Sequence, residues 1–359
     1  GVRIMAYTTI DDPSAYFHIQ LYTGTGSSQS ITNDANAGDF KPDWIWAKNR
    51  SDSAGHIAFD STRGVNKNLT VNSTDAEATV TTQVTAFNTD GFTMGSNNGA
   101  NGSSDNLVAW QWKANGGTTT SVSASGAVNA GTHQANTTAG FSIVTYTGED
   151  NSGDTVTHGL GAVPHVIIVK NRTTSAHWVM YHHKNTSAPE TDRLLLSATN
   201  VTGDYDNYWS DTAPTSSVFT VGTNGDTGDA DNYVAYCFTE VQGYSKFGSY
   251  TGNGNADGAF IYLGFKPAWL LVKQTDGADN WQLVDNKRDP INLVDAFLMP
   301  DTSSAENTHD NNIQVDFLSN GFKCRNTNSV FNGSGNSYIY MAFAEHPFVS
   351  SKGVPVTAR

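Results

Sequence analysis

The stretch Phe40-Lys-Pro-Asp-Trp-Ile-Trp-Ala-Lys-Asn-Arg50 recurs twice more along the chain. The later copies are Val163-Pro-His-Val-Ile-Ile-Val-Lys-Asn-Arg172 and Phe265-Lys-Pro-Ala-Trp-Leu-Leu-Val-Lys-Gln274. A proline just ahead of an apolar run is typical of the start of a β-strand, and an uninterrupted apolar run is typical of a strand buried on both faces. Each copy therefore predicts a central β-strand. The shared lysines lie 122 and 103 positions apart, at Lys48, Lys170 and Lys273.

Two further blocks recur with nearly the same offsets. A Tyr-Thr-Gly block precedes each apolar run, and its tyrosines, Tyr22, Tyr146 and Tyr250, are 124 and 104 positions apart. Three separate blocks with matching offsets predict an internal repeat of about 100 residues. The third block closes each repeat, with copies that start 126 and 105 positions apart: Leu107-Val-Ala-Trp-Gln-Trp112, Tyr233-Val-Ala-Tyr-Cys-Phe238 and Tyr338-Ile-Tyr-Met-Ala-Phe343.

These offsets predict the organisation of the chain. The segment 116–139 explains the longer first interval, and its richness in Gly, Ser, Thr, Ala and Asn predicts a linker or an extended segment lying on a neighbour. No apolar run typical of a signal peptide or a membrane span is present, so we expect no membrane insertion. The predicted parts are an N-terminal segment (1–12), repeat 1 (13–115), the linker (116–139), repeat 2 (140–242), repeat 3 (243–348) and a C-terminal tail (349–359).

The composition favours an all-β fold. Glycine is abundant at 34 residues, aromatic residues make up 11% and charged residues only 15% of the chain, which leaves little material for the solvent-facing side of helices. Turn dipeptides such as Asp90-Gly91 and Asn320-Gly321 precede short apolar segments. Short strands at even spacing with glycine-rich turns predict three tandem β-sandwich modules, of jelly-roll or lectin-like type, one in each repeat.

The net charge of −14 makes nucleic acid an unfavourable partner, because a field of that sign repels a phosphate backbone. The two cysteines, Cys237 and Cys324, are too few for a disulfide scaffold and occupy different places in the repeat. We expect both to be small buried thiols.

The blocks resemble repeat proteins of tailed bacteriophages, notably marine ones. The resemblance rests on Met5-Ala-Tyr-Thr-Thr-Ile-Asp-Asp-Pro13, the Tyr-Thr-Gly strand, the Pro-x-x-apolar segment ending in Lys-Asn-Arg and the Val-Ala-Trp-x-Trp-Lys strand, and it covers about residues 13–345. It implies a virion structural protein with tail-fibre-like or lectin-like sandwich domains, made in the host cytoplasm and carried on the particle. It supplies no set of binding residues. Repeat 3 departs from the pattern, since Gln274 stands where the asparagine follows the lysine in the other copies.

The Lys-Asn-Arg segment is the first candidate contact site. It comprises Lys48, Asn49, Arg50, Lys170, Asn171 and Arg172. These side chains could donate hydrogen bonds to an acidic glycan or to a neighbouring subunit. The structural alternative is a strand end at which the charges meet solvent and the asparagine holds the turn.

Aromatic residues in polar, loop-rich stretches are the second candidate, because an exposed ring can stack on a sugar or fill a partner's pocket. Trp209 has no clear counterpart in the other repeats and is the preferred contact residue. An equally weighted alternative makes Trp178 and Trp281 equivalent core positions that follow the repeated lysine. The full set is Trp178, Tyr205, Tyr208, Trp209 and Trp281.

A metal site has only one candidate segment. The loop 222–232 gathers Asp226, Asp229 and Asp231, which are hard oxygen ligands suited to calcium, although their spacing is not that of an EF-hand. An acidic solvated loop is the alternative, and we expect no other cofactor.

The functional expectation is a non-enzymatic virion protein. The sequence lacks the nucleophile elbow, the Walker loop, the zinc-protease motif and the dinucleotide fingerprint. The first hypothesis is a tail-fibre-like adhesin that contacts a host surface glycan or appendage. The alternatives are a capsid decoration or connector protein that binds only other virion proteins, and a glycan-degrading tailspike. A homo-oligomer is expected, with a trimer as first choice.

Overall fold

The computed structural model describes residues 6–308 and 313–356, so Met5 lies outside the described residues. The fold is all-β, as predicted. The α-helices in the described residues are three four-residue segments, α1 (Asn98–Asn101), α2 (Asp206–Trp209) and α3 (Ser329–Asn332), and two 3-10 turns lie at Pro13–Ala15 and Pro189–Thr191. None of these is long enough to cross a bilayer.

Repeat 1 contributes two sheets. The larger has the strand order β1-β9-β3-β4-β5-β6 and the smaller has the order β2-β8-β7. Their strands are, along the chain, β1 (Phe17–Thr23), β2 (Gln29–Ile31), β3 (Trp44–Asn49), β4 (Ile57–Asp60), β5 (Lys67–Thr70), β6 (Ala78–Thr79), β7 (Val84–Phe87), β8 (Phe92–Met94) and β9 (Asn106–Trp112).

The linker and repeat 2 contribute the next two sheets. The larger has the order β10-β11-β12-β19-β14-β15-β16-β17, and β13 pairs with β18 in the smaller. The strands are β10 (Thr120–Val122), β11 (Gly131–Asn136), β12 (Phe141–Thr147), β13 (Asp154–Thr157), β14 (Val166–Asn171), β15 (Trp178–His182), β16 (Asp192–Leu195), β17 (Gly203–Asp204), β18 (Val218–Val221) and β19 (Asn232–Phe238).

Repeat 3 contributes a larger sheet of order β20-β27-β22-β23-β24 and a smaller sheet of order β21-β26-β25. The strands are β20 (Ser245–Thr251), β21 (Phe260–Tyr262), β22 (Phe265–Gln274), β23 (Gln282–Asp285), β24 (Phe297–Leu298), β25 (Val315–Leu318), β26 (Gly321–Cys324) and β27 (Ser337–Pro347).

The apolar block occupies the same place in all three larger sheets. Strands β3, β14 and β22 each lie between the closing aromatic strand and the strand that follows the block. Each therefore has a hydrogen-bonded neighbour on both edges. All six residues of β3 and of β14 are buried. The prediction of a central strand buried on both faces is confirmed.

Alternate residues of these strands enter two different cores. In β3, Trp44 and Trp46 belong to a central core, whereas Ile45 and Ala47 face the smaller sheet of the same repeat. Strands β14 and β22 divide their side chains in the same way. The central core is shared by all three repeats: the ring of Trp44 stacks on that of Tyr236 at 4.3 Å between centroids. Burial of large rings at this depth makes the central core a major source of stability.

The Tyr-Thr-Gly block has a structural explanation. The hydroxyls of Tyr22, Tyr146 and Tyr250 each donate a hydrogen bond to a backbone carbonyl of their own repeat, at 3.0, 2.6 and 2.6 Å. The glycine two positions later lies against a backbone carbonyl, since a Cβ at Gly24 would stand 2.0 Å from the oxygen of Gly102. Only glycine fits such an approach, which accounts for its recurrence.

The predicted linker is partly regular structure. Strand β11 pairs with β12 over six residues and extends the larger sheet of repeat 2. The Nε2 of Gln134 in β11 also donates to the hydroxyls of Ser61 and Thr62 in repeat 1. The segment therefore lies on its neighbours, which matches the second of the two interpretations of its sequence. Backbone pairing, to which its small polar side chains offer no obstacle, decides this placement.

Both cysteines are free and buried, as predicted.

Candidate functional site

A buried chain of ion pairs holds repeat 2 against repeat 1, at what we call the 1–2 junction. Arg172 of repeat 2 donates its Nε and Nη2 to the two carboxylate oxygens of Glu77, at 2.9 and 3.1 Å. The same carboxylate accepts from Nη1 of Arg63 at 3.0 Å, and Nε of Arg63 donates to Asp60. The hydroxyl of Tyr236 in repeat 2 completes the chain by donating to Asp60 at 2.7 Å.

The same arrangement recurs between repeats 3 and 1, at the 3–1 junction. Arg50 of repeat 1 donates to both oxygens of Glu306 at 2.9 and 2.7 Å, and Nη1 of Arg288 donates to Glu306 at 2.7 Å. Nε of Arg288 donates to Asp285 at 2.6 Å. The indole Nε1 of Trp110 takes the place of the tyrosine hydroxyl and donates to Asp285 at 2.9 Å.

The charges in both chains are largely removed from water. The side chains of Arg63 and Arg288 are fully buried, and those of Glu77 and Glu306 are about nine-tenths buried. Burial alone would raise the pKa of both glutamates, but the hydrogen bonds and charges of the arginines outweigh it and hold each pKa below its usual value. Both carboxylates are therefore ionised at neutral pH.

Repeats 2 and 3 meet in an equivalent way, at the 2–3 junction, and close the three repeats into a ring. One backbone bond marks the equivalence: the N–H of Glu77 donates to the carbonyl of Arg172, and that of Glu306 donates to the carbonyl of Arg50. At the 2–3 junction the N–H of Thr202 donates to the carbonyl of Thr275 at 2.9 Å. Threonines therefore stand where the other junctions have a glutamate and an arginine.

The arginine–aspartate pair of the ion-pair chain is also replaced at the 2–3 junction. His182 pairs with Val166 as Asp60 pairs with Trp44, so a histidine stands at the aspartate position. Three residues later, Asn185 replaces the buried arginine. The Nε2 of His182 lies 3.1 Å from the carbonyl of Tyr340. Burial, with a smaller contribution from His183, lowers the pKa of His182 to about 3, so its ring is neutral.

A cleft of about 590 Å³ opens at the outer end of the 2–3 junction. The residues that replace the ion-pair chain at this junction line the cleft: Asn185, Thr202 and Thr275. The remaining lining residues are Thr186, Thr191, Asp192, Val201, Asp204, Asp276 and Ser337.

Asp192 is the most buried carboxylate of this cleft, at 5% exposure. Its Oδ2 accepts from the hydroxyl of Thr186 and from Nδ2 of Asn185. Burial, with Asp204 adding to it, raises the pKa of Asp192 against the opposing hydrogen bond of Thr186. Within residues 6–308 and 313–356, neither Asp192 nor Asp204 nor Asp276 forms an ion pair.

The repeated lysines are buried, which corrects the expectation that their charges meet solvent. Lys48, Lys170 and Lys273 are at most 1% exposed, and burial lowers the pKa of each to about 8. Each Nζ donates to two backbone carbonyls, and that of Lys170 reaches across the 1–2 junction to Thr74. The lysines are buried because a neighbouring repeat covers the strand end that carries them.

The asparagines hold the turn, as the structural alternative predicted. Oδ1 of Asn49 accepts from the N–H groups of Ser51 and Asp52, and Asn171 does the same for Thr173 and Thr174. The arginines that follow, Arg50 and Arg172, form the junction ion pairs described above. The structure thus brings these residues to repeat junctions; whether they also contact a ligand stays a prediction.

The expectation that the candidate aromatic residues are exposed is wrong for four of the five. Trp178, Trp209, Trp281 and Tyr208 are at most 5% exposed, and only Tyr205 is open to solvent, at 46%. The polar neighbours of Trp209 in the sequence predict an exposed loop, but α2 turns its ring inward, where Nε1 donates to the carbonyl of Asp192. Local polarity could not reveal that packing.

Trp178 and Trp281 are the equivalent core positions that the alternative interpretation proposed. Nε1 of Trp178 donates to the carbonyl of Thr70 in repeat 1, and Nε1 of Trp281 donates to the carbonyl of Leu195 in repeat 2. Each indole therefore also crosses a junction.

The exposed ring of Tyr205 forms a cation–π contact. The guanidinium of Arg193 lies 4.7 Å from its centroid and 5.6 Å from that of Tyr208. This stack is the exposed part of the predicted aromatic site.

The aspartates of the predicted calcium loop are engaged with the protein. Oδ1 of Asp226 accepts from the N–H of His177, and Oδ2 of Asp231 accepts from Asn171 and Thr174. The pKa of Asp229 is raised by burial and by Asp150 and Asp231. No group of three metal-ligating side chains is found in the described part of the chain, and calcium binding stays an untested prediction.

A groove of about 640 Å³ with mixed polar and apolar lining lies on repeat 3. Ile291, 75% exposed, lines it together with Val356, 41% exposed, and with Phe317. Sequence patterns did not single out this surface.

One family model matches residues 12–347, that of a domain of unknown function, DUF7483. The chain belongs to this family. The match runs through all three repeats, so the family is defined by the whole ring. No curated protein and no solved structure matches the chain.

The junction chemistry is the main feature that sequence reasoning missed. A signal was present, because Asp60-Ser-Thr-Arg63 and Asp285-Asn-Lys-Arg288 follow the apolar block of repeats 1 and 3, whereas repeat 2 has His182-His-Lys-Asn185 there. The partner glutamates lie 14 and 18 positions after these arginines, at Glu77 and Glu306.

Proposed function

We propose that this member of the DUF7483 family is a non-enzymatic bacteriophage virion protein, tail-fibre-like, that contacts a host surface glycan. The observation that supports the proposal is the closed ring of three repeats around one aromatic core. Such a ring is a rigid platform with loops around it, and a binding protein gains affinity from a preorganised surface. The resemblance to phage repeat proteins supports the particle location.

We infer that each repeat is a β-sandwich of jelly-roll or lectin-like type. Each larger sheet packs one face on a smaller sheet around a separate core, as in the cluster that includes Val144, Val169 and Phe219 in repeat 2. Two sheets with an apolar layer between them are the architecture of a sandwich.

The surface that we assign to glycan contact is the stack of Tyr205 and Arg193. The cation above the ring restricts the side chain of Tyr205, and a restricted, exposed ring offers a flat apolar face at low entropic cost.

Binding of the purified chain to host cells and to a glycan array tests this function. Tyr205→Ala is expected to weaken binding at least ten-fold. Tyr262→Ala is the matched control, because Tyr262 is 49% exposed and has Lys246 5.3 Å from its ring centroid, but lies on repeat 3. Equal binding by both variants, or no binding by the native chain to any susceptible host, would contradict the proposal.

A second function, as a connector or capsid decoration protein that binds other virion components, is favoured by the groove on repeat 3. Ile291 and Val356, at 75% and 41% exposure, both line this groove, and exposed apolar residues that lie together are typical of an interaction surface. Immunogold labelling of the particle separates the two functions: label at fibre ends supports adhesion, and label over the head or at a joint supports the connector. Release of reducing ends from host polysaccharide would instead indicate a tailspike enzyme.

We also propose a homo-oligomer, with a trimer as first choice. A monomer mass by light scattering at micromolar concentration would contradict it.

A further inference from the structure

The cleft at the 2–3 junction occupies the place that arginine side chains fill at the other two junctions. Asn185 stands at the position of Arg63 and Arg288, and Thr275 at the position of Arg50 and Arg172. At the 1–2 junction both guanidiniums converge on one carboxylate within 3.1 Å. At the 2–3 junction the corresponding space is part of a cleft of about 590 Å³.

The balance of charge around that space differs from that at the 1–2 junction. At the 1–2 junction Arg63 and Arg172 balance Asp60 and Glu77, so the chain is neutral. The cleft has three carboxylates and no arginine or lysine in its lining. The side-chain charge is reversed at one of these positions. Asp192, which pairs with Asp204, occupies the place that Lys67, which pairs with Thr79, has in repeat 1.

Asp192 supplies an independent observation. It is 95% buried, lines the cleft and has no cationic partner among the described residues. A buried carboxylate without a counter-ion is costly, and its two neutral donors, Thr186 and Asn185, offset only part of that cost.

From these observations we propose that the 2–3 cleft binds a guanidinium group, presented by an arginine side chain of a partner protein. The partner protein would insert into this cleft a guanidinium group like those that the chain's own arginines provide at the other two junctions. This inference holds wherever the protein acts, and it does not depend on glycan binding.

The lining fits a guanidinium better than a bare metal ion. Planar guanidinium groups donate up to five hydrogen bonds in a fixed fork, and carboxylate, amide and hydroxyl oxygens around an open cleft can accept them. The cleft is larger than a metal-ion site requires, and no three metal-ligating groups converge within the part of the chain that the structure describes.

The test measures binding of N-acetyl-arginine methylamide to the full chain. Calorimetry gives the affinity, and changes in the amide chemical shifts of the protein locate the site. The neutral isostere N-acetyl-citrulline methylamide is expected to bind at least ten-fold more weakly. Shifts should map to Thr202, Asp204 and Thr275.

Two variants locate the site. Asp204→Asn removes an exposed cleft carboxylate without disturbing a hydrogen bond given by the structure, and it should weaken binding several-fold. Asp39→Asn, an equal change of charge at an exposed position outside the cleft, should leave binding unchanged. The triple variant Asn185→Arg, Thr202→Glu, Thr275→Arg places two arginines around one glutamate, as at the other junctions, although His182 still stands at the aspartate position. It should abolish binding; Asp204→Asn keeps the test valid if the triple variant fails to fold.

Equal binding of the arginine and citrulline probes, or equal effects of Asp204→Asn and Asp39→Asn, would overturn the proposal. Saturation of the cleft by calcium alone would also overturn it, in favour of a metal site.

Discussion

The 1–2 junction and the 2–3 junction occupy equivalent places in the ring but hold their repeats together by different means. The first uses the buried Arg63 and the partly exposed Arg172, which share Glu77. The second keeps the backbone bond between Thr202 and Thr275 but has neutral side chains along the same path. The comparison teaches that backbone register and the shared aromatic core are enough to place a repeat. The ion pairs are therefore an addition to that framework, and their absence leaves a cleft.

Removing one charge from the 1–2 junction should have the largest effect. Glu77→Gln leaves Arg63 and Arg172 without a shared anion, and breaking a buried ion pair in this way costs about 3–5 kcal/mol. Urea unfolding at pH 7 measures the loss. The equivalent change at the 2–3 junction, Thr202→Gln, introduces the same side chain at a position that forms no ion pair. It removes only the hydrogen bond from the Thr202 hydroxyl to Asn185 and should cost less than about 1 kcal/mol. Equal losses at the two positions would show that the junctions do not differ in the way described.

The buried lysines are common to all three repeats and predict a gain of stability in mild alkali. Their pKa of about 8 in the folded chain lies below the ordinary value of 10.5, so between these values the unfolded chain binds more protons. Stability should therefore rise as pH increases from about 8 to 10, on the order of 1 kcal/mol per lysine. The buried thiols of Cys237 and Cys324, whose pKa values are raised, offset part of this gain above about pH 9, and buried tyrosines of raised pKa, such as Tyr233, do so above about pH 10.

Urea unfolding at pH 7.5 and 9 measures this gain. Lys170→Met, which removes the lysine that crosses the 1–2 junction, should lose part of it, as should Lys273→Met, whose Nζ bonds stay within repeat 3. Native stability that is flat or falling over this range would contradict the prediction.

His182 makes the 2–3 junction sensitive to mild acid. Its folded pKa of about 3 lies below the ordinary value of 6.5, so stability should fall as pH decreases from 6.5 towards 3. The loss between pH 6.5 and 5 is on the order of 1 kcal/mol for this residue. His165 and His183, which lie beside it, have pKa values lowered by burial and add to the effect.

The native chain alone does not isolate this contribution, because burial also lowers the pKa of His56 near the 3–1 junction. His182→Gln removes the contribution of His182 alone, so its unfolding free energy should change less between pH 6.5 and 5 than that of the native chain. An unchanged pH dependence in this variant would place the acid sensitivity elsewhere.

Changes at the exposed aromatic stack should leave the junctions intact. Tyr205→Ala is expected to alter the unfolding free energy by less than about 0.5 kcal/mol, because the ring is 46% exposed and lies outside the cores. Thermal unfolding compares it with Tyr262→Ala on repeat 3. A large loss in Tyr205→Ala alone would make the ring a structural element of the repeat.

Strand patterns made much of the architecture predictable. The alternation of Trp44, Trp46, Ile45 and Ala47 between two cores follows from a strand that is apolar throughout. The asparagine turns and the buried cysteines were predictable for the same local reasons. The burial of Trp209 was not, because its sequence neighbours are polar and only the packing of α2 on the sheet turns its ring inward.

The sequence by itself determined the repeat and the all-β character, because strand period, turn residues and block spacing are local properties. Tertiary structure alone decided that the three repeats share one core, that Lys48 is buried at a strand end, and that Glu77 meets arginines from two repeats. Partners such as Glu77 and Arg172 lie 95 positions apart, and burial of a charge depends on which surfaces cover it. Packing between repeats therefore fixed the junctions and the cleft, which no local pattern encodes.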